Sequence, residues 1–274
     1  MKKFVLNEVG IGDIIIFLSY LSEFYKNDVI YYDFNINNIK IHRTKEFEEY
    51  YNFIKNFSKY VLDKANCNTF LLETLHNGYT LITIDDIRNH YKTNNIEFQY
   101  ISINKSNNIS NNTVVLLTKV RGCHYEKYNE IKNDFYKTIN NGNKNIILLG
   151  EKEIELNPEY LLLTDQVVYS IYNDILHNVD NNKIIDLTID KLGITSPSLK
   201  KLIDDISIIE NNKVISFGSS GIVSLCSLFT DVLSYINAYN NETLELFNQF
   251  LDPHNKELKH NNEDFINNLK LILK

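Results

Sequence analysis

Short segments rich in Val, Ile and Tyr alternate with longer stretches of helical period through most of this chain. That alternation narrows the fold to the α/β class, in which strands joined by crossover helices build a largely parallel sheet. In the first half, Lys3 to Leu6, Val29 to Asp33, Tyr79 to Thr83 and Phe98 to Ile103 have the composition of strands. Between them, Thr44 to Lys64 sets Phe47, Tyr50, Tyr51, Ile54, Phe57 and Val61 mostly three and four residues apart, the spacing of an amphipathic helix.

The run Asn104-Lys105-Ser106-Asn107-Asn108-Ile109-Ser110-Asn111-Asn112 has almost nothing to bury, so a domain boundary is expected near residue 108. The alternation then restarts. Thr113 to Thr118, Asn145 to Leu149, Lys183 to Leu187 and Lys213 to Phe217 read as strands, and Tyr125 to Ile139, Asp165 to His177, Ser198 to Ile206 and Gly221 to Phe229 as helices. This half has the pattern of a doubly wound fold. The expected division is 1–108 and 113–274, with a last helix, Asn262 to Leu273, packing back across the first domain.

A chain of 274 residues with 43% hydrophobic composition can bury a sizeable core. The net charge of -7 and the lack of a Lys/Arg stripe argue against nucleic acid, whose affinity is carried by phosphate contacts. No stretch reaches the roughly 18 apolar residues of a membrane span. The Met1 to Leu6 start has no signal-peptide sequel, because Glu8 and Asp13 interrupt it. Cys67, Cys123 and Cys226 make neither a disulfide framework nor a zinc pattern, and no His pairs with a second His or Cys at helical spacing. A cytoplasmic protein without a bound metal is the expectation.

Four loops follow expected strands and carry polar chemistry. In Val9-Gly10-Ile11-Gly12-Asp13 the glycines allow a tight turn, and Asp13 stands at a helix start. Ile15 breaks the dinucleotide fingerprint, and no P-loop lysine follows. Asp13 is then either a helix cap or a general base at the carboxyl edge of the first strand. Gly218-Ser219-Ser220-Gly221 aims N–H groups and two hydroxyls at one point, as an anion site or as a capped helix start. Lys119 and Arg121 leave the sheet edge at the level of the other loops, either to neutralise a diphosphate or as solvated charges. The acidic loop Gly150 to Glu155 offers a carboxylate for ribose hydroxyls, or is plain surface.

Taken together, these residues resemble the GT-B glycosyltransferases, most of all the ADP-heptose heptosyltransferase group, glycosyltransferase family nine. In that family a first strand leads into a Gly-Asp turn whose Asp is the catalytic base, which matches Gly12-Asp13. Gly218-Ser219-Ser220-Gly221 matches the loop that holds the donor diphosphate. Lys119 and Arg121 match the basic phosphate contacts, and Gly150 with Glu153 the ribose-binding segment. Ser219 stands where the family usually has Asp, and Ser224 where it usually has His. The resemblance implies two Rossmann-like domains facing a cleft, a nucleotide-sugar donor, a glycan or other hydroxyl acceptor, and an inverting transfer that needs no metal. A nucleotide-sugar epimerase or hydrolase, and a non-catalytic sugar-nucleotide-binding protein, are the alternative readings.

Overall fold

The computed structural model describes residues 2–8, 10–42, 47–74, 77–103, 108–154, 168–192, 199–217, 221–235 and 262–274. The first half runs β1 (Lys2–Leu6), α1 (Ile11–Phe24), β2 (Ile30–Phe34), α2 (Ile36–His42), α3 (Phe47–Lys64), β3 (Phe70–Leu72), β4 (Thr80–Ile82) and α4 (Ile84–Asn94). Its four strands are parallel, in the order β3-β2-β1-β4. The second half runs β5 (Thr113–Leu117), β6 (Lys119–Arg121), α5 (Gly122–Asn141), β7 (Asn145–Leu149), β8 (Glu151–Ile154), β9 (Val168–Ser170), α6 (Tyr172–Asn178), β10 (Ile184–Asp186) and β11 (Ile189–Leu192). It continues with α7 (Leu199–Ile209), β12 (Lys213–Ser216), α8 (Gly221–Phe229), β13 (Val232–Ser234) and α9 (Asn262–Leu273). Here a parallel five-stranded sheet has the order β10-β7-β5-β12-β13.

Counted within each half, the two orders are 3-2-1-4 and 3-2-1-4-5, the Rossmann pattern in both. Each sheet therefore reverses direction beside its first strand, between β1 and β4 and between β5 and β12. Two short ribbons extend the second sheet. β8 and β11 continue the register of β7 and β10 past a kink at Gly150, while β6 pairs antiparallel with β9.

One hydrophobic core joins the two sheets. It gathers Phe4, Leu6, Tyr32 and Ile82 from the first sheet with Val115, Leu117, Ile147 and Val214 from one face of the second. Helix α1 lies between them and packs on α8 as well as on α3 and α4. That is why Ile14 to Leu21 are all buried rather than forming a stripe: a helix enclosed on every side is apolar on every side. A Lys64–Glu210 ion pair at 2.9 Å ties α3 to the end of α7. The opposite face of the second sheet, with Val114, Leu116, Ile146 and Phe217, is covered by α5 and α9. Burial on both faces accounts for the unbroken apolar runs of β5 and β7. The first sheet is barer at its edges, where Leu71 and Leu81 are 41% and 49% exposed.

Three expectations need correction. Phe98 to Ile103 forms no strand; Phe98 and Ile101 are buried three residues apart, and the Ile101 N–H donates to Ser19 Oγ at 2.9 Å instead of to a ladder. The expected helix Asp165 to His177 begins only at Tyr172, because Val168–Ser170 pairs with the edge that β6 leaves open. The last helix spans Asn262–Leu273 as expected but packs on α5 and β13 of its own half, with Phe265, Leu269, Ile272 and Leu273 in the second core. Residues 104–107 of the polar run lie outside the described residues. Its end is fixed to the second half, with the Ser110 N–H donating to the Asn211 carbonyl at 2.7 Å.

Candidate functional site

Open α/β sheets bind ligands beyond the carboxyl ends of their strands, where the strand order reverses. In the first half that place is the end of β1. Gly10 has extended backbone, and the Ile14 N–H donates to its carbonyl at 3.0 Å, so α1 starts there. Asp13 on the first turn accepts the Gly10 N–H at 3.1 Å. A Cβ at residue 10 would lie 2.6 Å from Asp13 Oδ2, so it is the carboxylate in its present position, and not the backbone angles, that favours glycine here. Gly12 follows in the same turn, half-buried like Asp13. The capping geometry is therefore present.

Around Asp13 the edge is built of amides and carboxylates. Asn35 Nδ2 donates to Asn7 Oδ1 at 2.9 Å, and Asn38 Nδ2 donates to the Asn7 carbonyl at 2.6 Å. Glu8 reaches across the strand reversal, its Oε2 accepting the Ile84 N–H at 3.0 Å. The same helix start is capped by Thr83 and Asp86, and the Thr83 hydroxyl and N–H hold the Asp86 carboxyl below the usual carboxylate range. At the end of β2, Asp33 is 5% exposed and accepts the Phe34 N–H at 2.8 Å and the Tyr51 hydroxyl at 2.6 Å. Burial, with Asp33 beside it, raises the Tyr51 phenol above its ordinary range.

In the second half the reversal lies between β5 and β12. Thr118 directly follows β5 and is fully buried, its hydroxyl donating to the Glu151 carbonyl at 3.0 Å. Gly150 meets it with φ +121, and a Cβ there would collide with Thr118 Oγ1, so this junction takes glycine on both counts. Lys119 follows directly on β6, half-buried, and Arg121 closes that strand. Gly221 is the first residue of α8, after β12, while Gly218, Ser219 and Ser220 lie outside the described residues. The strands that lead to Lys119 and Gly221, β5 and β12, are neighbours and pair directly. Glu153 stands instead on the β8 ribbon, exposed and in register with Lys191.

Sequence reasoning passed over Asn7, Asn35 and Asn38, Glu8, and the Asp33–Tyr51 pair. Asp33 carried a signal: it falls twenty residues after Asp13 at the end of the second strand, the position at which Rossmann folds keep an acid. The asparagines carried none, being lost in a chain rich in asparagine throughout.

Among the described residues no helix is long and apolar enough to cross a membrane, and no group of three His, Cys, Asp or Glu is placed to hold a metal ion. No protein-family model matches the chain, and no curated protein matches it in sequence. Solved structures do resemble it. One is the bacterial iron-containing dodecameric glycosyltransferase TibC from enterotoxigenic E. coli H10407, at a TM-score of 0.54 and 8% identity over 95% of this chain and 64% of that one. Another is the dodecameric iron-containing heptosyltransferase TibC in complex with ADP-D-beta-D-heptose, at 0.51 and 10% over 99% of this chain and 73% of that one. The chain thus spans just under two thirds of the first of these, and what it shares with both is an α/β fold of parallel sheets.

Proposed function

We propose that this chain is a glycosyltransferase that moves a sugar from a nucleotide-sugar donor to an acceptor hydroxyl. One observation carries the reading: two Rossmann-ordered sheets have strand-reversal edges of opposite character, and the same overall fold occurs in a structure holding ADP-heptose. At the first edge the charged residues of loops 7–8, 10–13, 35–38, 73–74 and 83–86 are Glu8, Asp13, Glu73, Asp85 and Asp86, all carboxylates. At its strand reversal the second edge carries Lys119 and Arg121 with the start of α8, while Glu151 and Glu153 stand further along it after β7, and Asp186 at the end of β10. Coulomb's law then assigns the diphosphate to the second half and the acceptor to the first.

In the proposed arrangement, the two edges border one GT-B-like cleft. Asp13 takes the proton from the acceptor hydroxyl as its oxygen attacks the anomeric carbon. The bond from that carbon to the diphosphate oxygen breaks, the configuration inverts, and the nucleoside diphosphate leaves with the bonding pair. Lys119, Arg121 and the N–H groups from Gly218 to Gly221, with the Ser219 and Ser220 hydroxyls, neutralise that leaving group, so transfer needs no divalent metal. Glu153 serves the donor ribose. Heptose is one candidate for the sugar, hexose the other.

The Gly10–Asp13 bond favours a second reading, in which Asp13 is only a cap and the chain binds sugar nucleotides without turning them over. Asp13→Asn separates the two, because the amide oxygen can still accept the Gly10 N–H but cannot take a proton. The proposal expects transfer to fall by about 100- to 10,000-fold while nucleotide sugars still raise the melting temperature. Transfer at the parent rate by this variant would leave Asp13 as a cap.

A further inference from the structure

The amide cluster at the end of β1 is set up to read hydroxyl groups. Asn7 spends its side-chain oxygen on Asn35 and its carbonyl on Asn38, which leaves its Nδ2 as a donor. Asn38 spends one N–H on Asn7 and keeps Oδ1 as an acceptor, while Glu8 is held at Ile84 through Oε2 and keeps Oε1. All four residues, Asn35 included, are half-buried, so the unspent groups are held by partners yet open to a ligand. A sugar hydroxyl both donates and accepts, and a fixed donor beside fixed acceptors is what it pairs with. A phosphate or carboxylate would meet Glu8, Asp13, Glu73 and Asp86 on these loops, with Asp85 paired to Arg88 at 2.9 Å and no Lys or Arg on the loops themselves.

We infer that Asn7 and Asn38, braced by Asn35 and bordered along the same sheet edge by Glu8, form a subsite for an uncharged polyhydroxyl ligand, a neutral saccharide rather than a phosphorylated or acidic one. This rests on the transferase reading only in naming that ligand the acceptor. The arrangement presents a hydroxyl-bearing ring to the same edge as Asp13. The carboxylates give selectivity by repulsion, and the amides give affinity by pairing.

The test titrates the full chain, without any nucleotide sugar, with glucose, galactose and mannose and with their phosphate monoesters, following the side-chain amide NMR signals of Asn7, Asn35 and Asn38. At least one neutral sugar is expected to move the Asn7 and Asn38 signals, and its phosphate monoester to bind about tenfold more weakly, the factor that about 1.4 kcal/mol of repulsion gives. Asn38→Ala should weaken the neutral sugar by a similar factor. Glu8→Gln keeps the Ile84 N–H satisfied and should narrow the gap between sugar and ester. Esters that bind as well as the free sugars, or amide signals that none of the sugars moves, would overturn the assignment. Because no donor is added, the outcome is independent of the Asp13→Asn transfer assay, and either idea can fail alone.

Discussion

Gly10→Ala isolates the contact that fixes Asp13. The backbone at residue 10, φ -72 and ψ 152, suits alanine as well as glycine, so no conformational strain enters. What enters is a methyl group 2.6 Å from Asp13 Oδ2, inside the 3.0 Å that real Cβ contacts keep. Asp13 must then give up the Gly10 N–H, a capping loss of about 0.5–2 kcal/mol, or hold it from a distorted rotamer at about 0.5–1.5 kcal/mol. Alanine also narrows the unfolded ensemble, worth about 0.4–1 kcal/mol in its favour, but it is a poorer N-cap residue than glycine by a comparable amount. These last two effects nearly cancel. The net expectation is a loss of about 1–2 kcal/mol in the parent, or about 2–8 °C in melting temperature at about 2–4 °C per kcal/mol for a chain of this size. In an Asp13→Ala background there is no carboxylate to displace, and Gly10→Ala should be close to neutral. Denaturant unfolding of the four proteins closes a double-mutant cycle with a coupling of about 1–2 kcal/mol. Equal cost in both backgrounds would refute the steric argument. A transfer assay adds a second reading, since a displaced carboxylate loses its aim at the acceptor: Gly10→Ala should lower the rate by at least about tenfold, as small misplacements do.

Ser19 is 1% exposed and joins α1 to the segment after α4, donating to the Ile15 carbonyl and accepting from Ile101. Ser19→Ala strands a buried N–H and should cost about 1–3 kcal/mol in chemical denaturation, whereas a change below about 0.5 kcal/mol would show that water replaces the hydroxyl. Burial pushes the Tyr32 phenol up to about 12, and burial likewise raises Tyr91, Tyr128 and Tyr136. A phenol whose folded pKa exceeds its unfolded 10.0 supports the fold fully below that pH and loses its contribution as pH rises towards the folded value. Stability should therefore fall steeply above about pH 10, and Tyr32→Phe should flatten that limb. Phenolate absorbance appearing at the ordinary pH with the fold intact would contradict this.

Much of the fold was legible because its signals are local. A short apolar run located Asn145–Leu149, and helical periodicity located Gly221–Phe229 and Asn262–Leu273, to the residue. Around Gly10-Ile11-Gly12-Asp13 the chain's own chemistry foretold a strand, a tight turn and a helix start, with Asp13 on the first turn. The failures share one cause. Phe98 to Ile103 has strand composition, but whether a segment pairs depends on an available edge, and here the Ser19 hydroxyl took that place. Val168–Ser170 became a strand for the converse reason, that β6 offered an edge.

By itself, then, the sequence determined most of the helices and strands, that the class is α/β, and which loops carry glycine and charge, since these follow from side-chain periodicity and turn chemistry within a few residues. Tertiary structure alone decided that α1 is enclosed by α3, α4 and α8, that α9 packs on α5 and β13, and that Asn35 and Asn38 meet Asn7 while Glu8 reaches Ile84, along the edge that also carries Asp13. Those meetings join residues about thirty to eighty positions apart, and contacts at such separation come from packing and strand register, which no local pattern encodes.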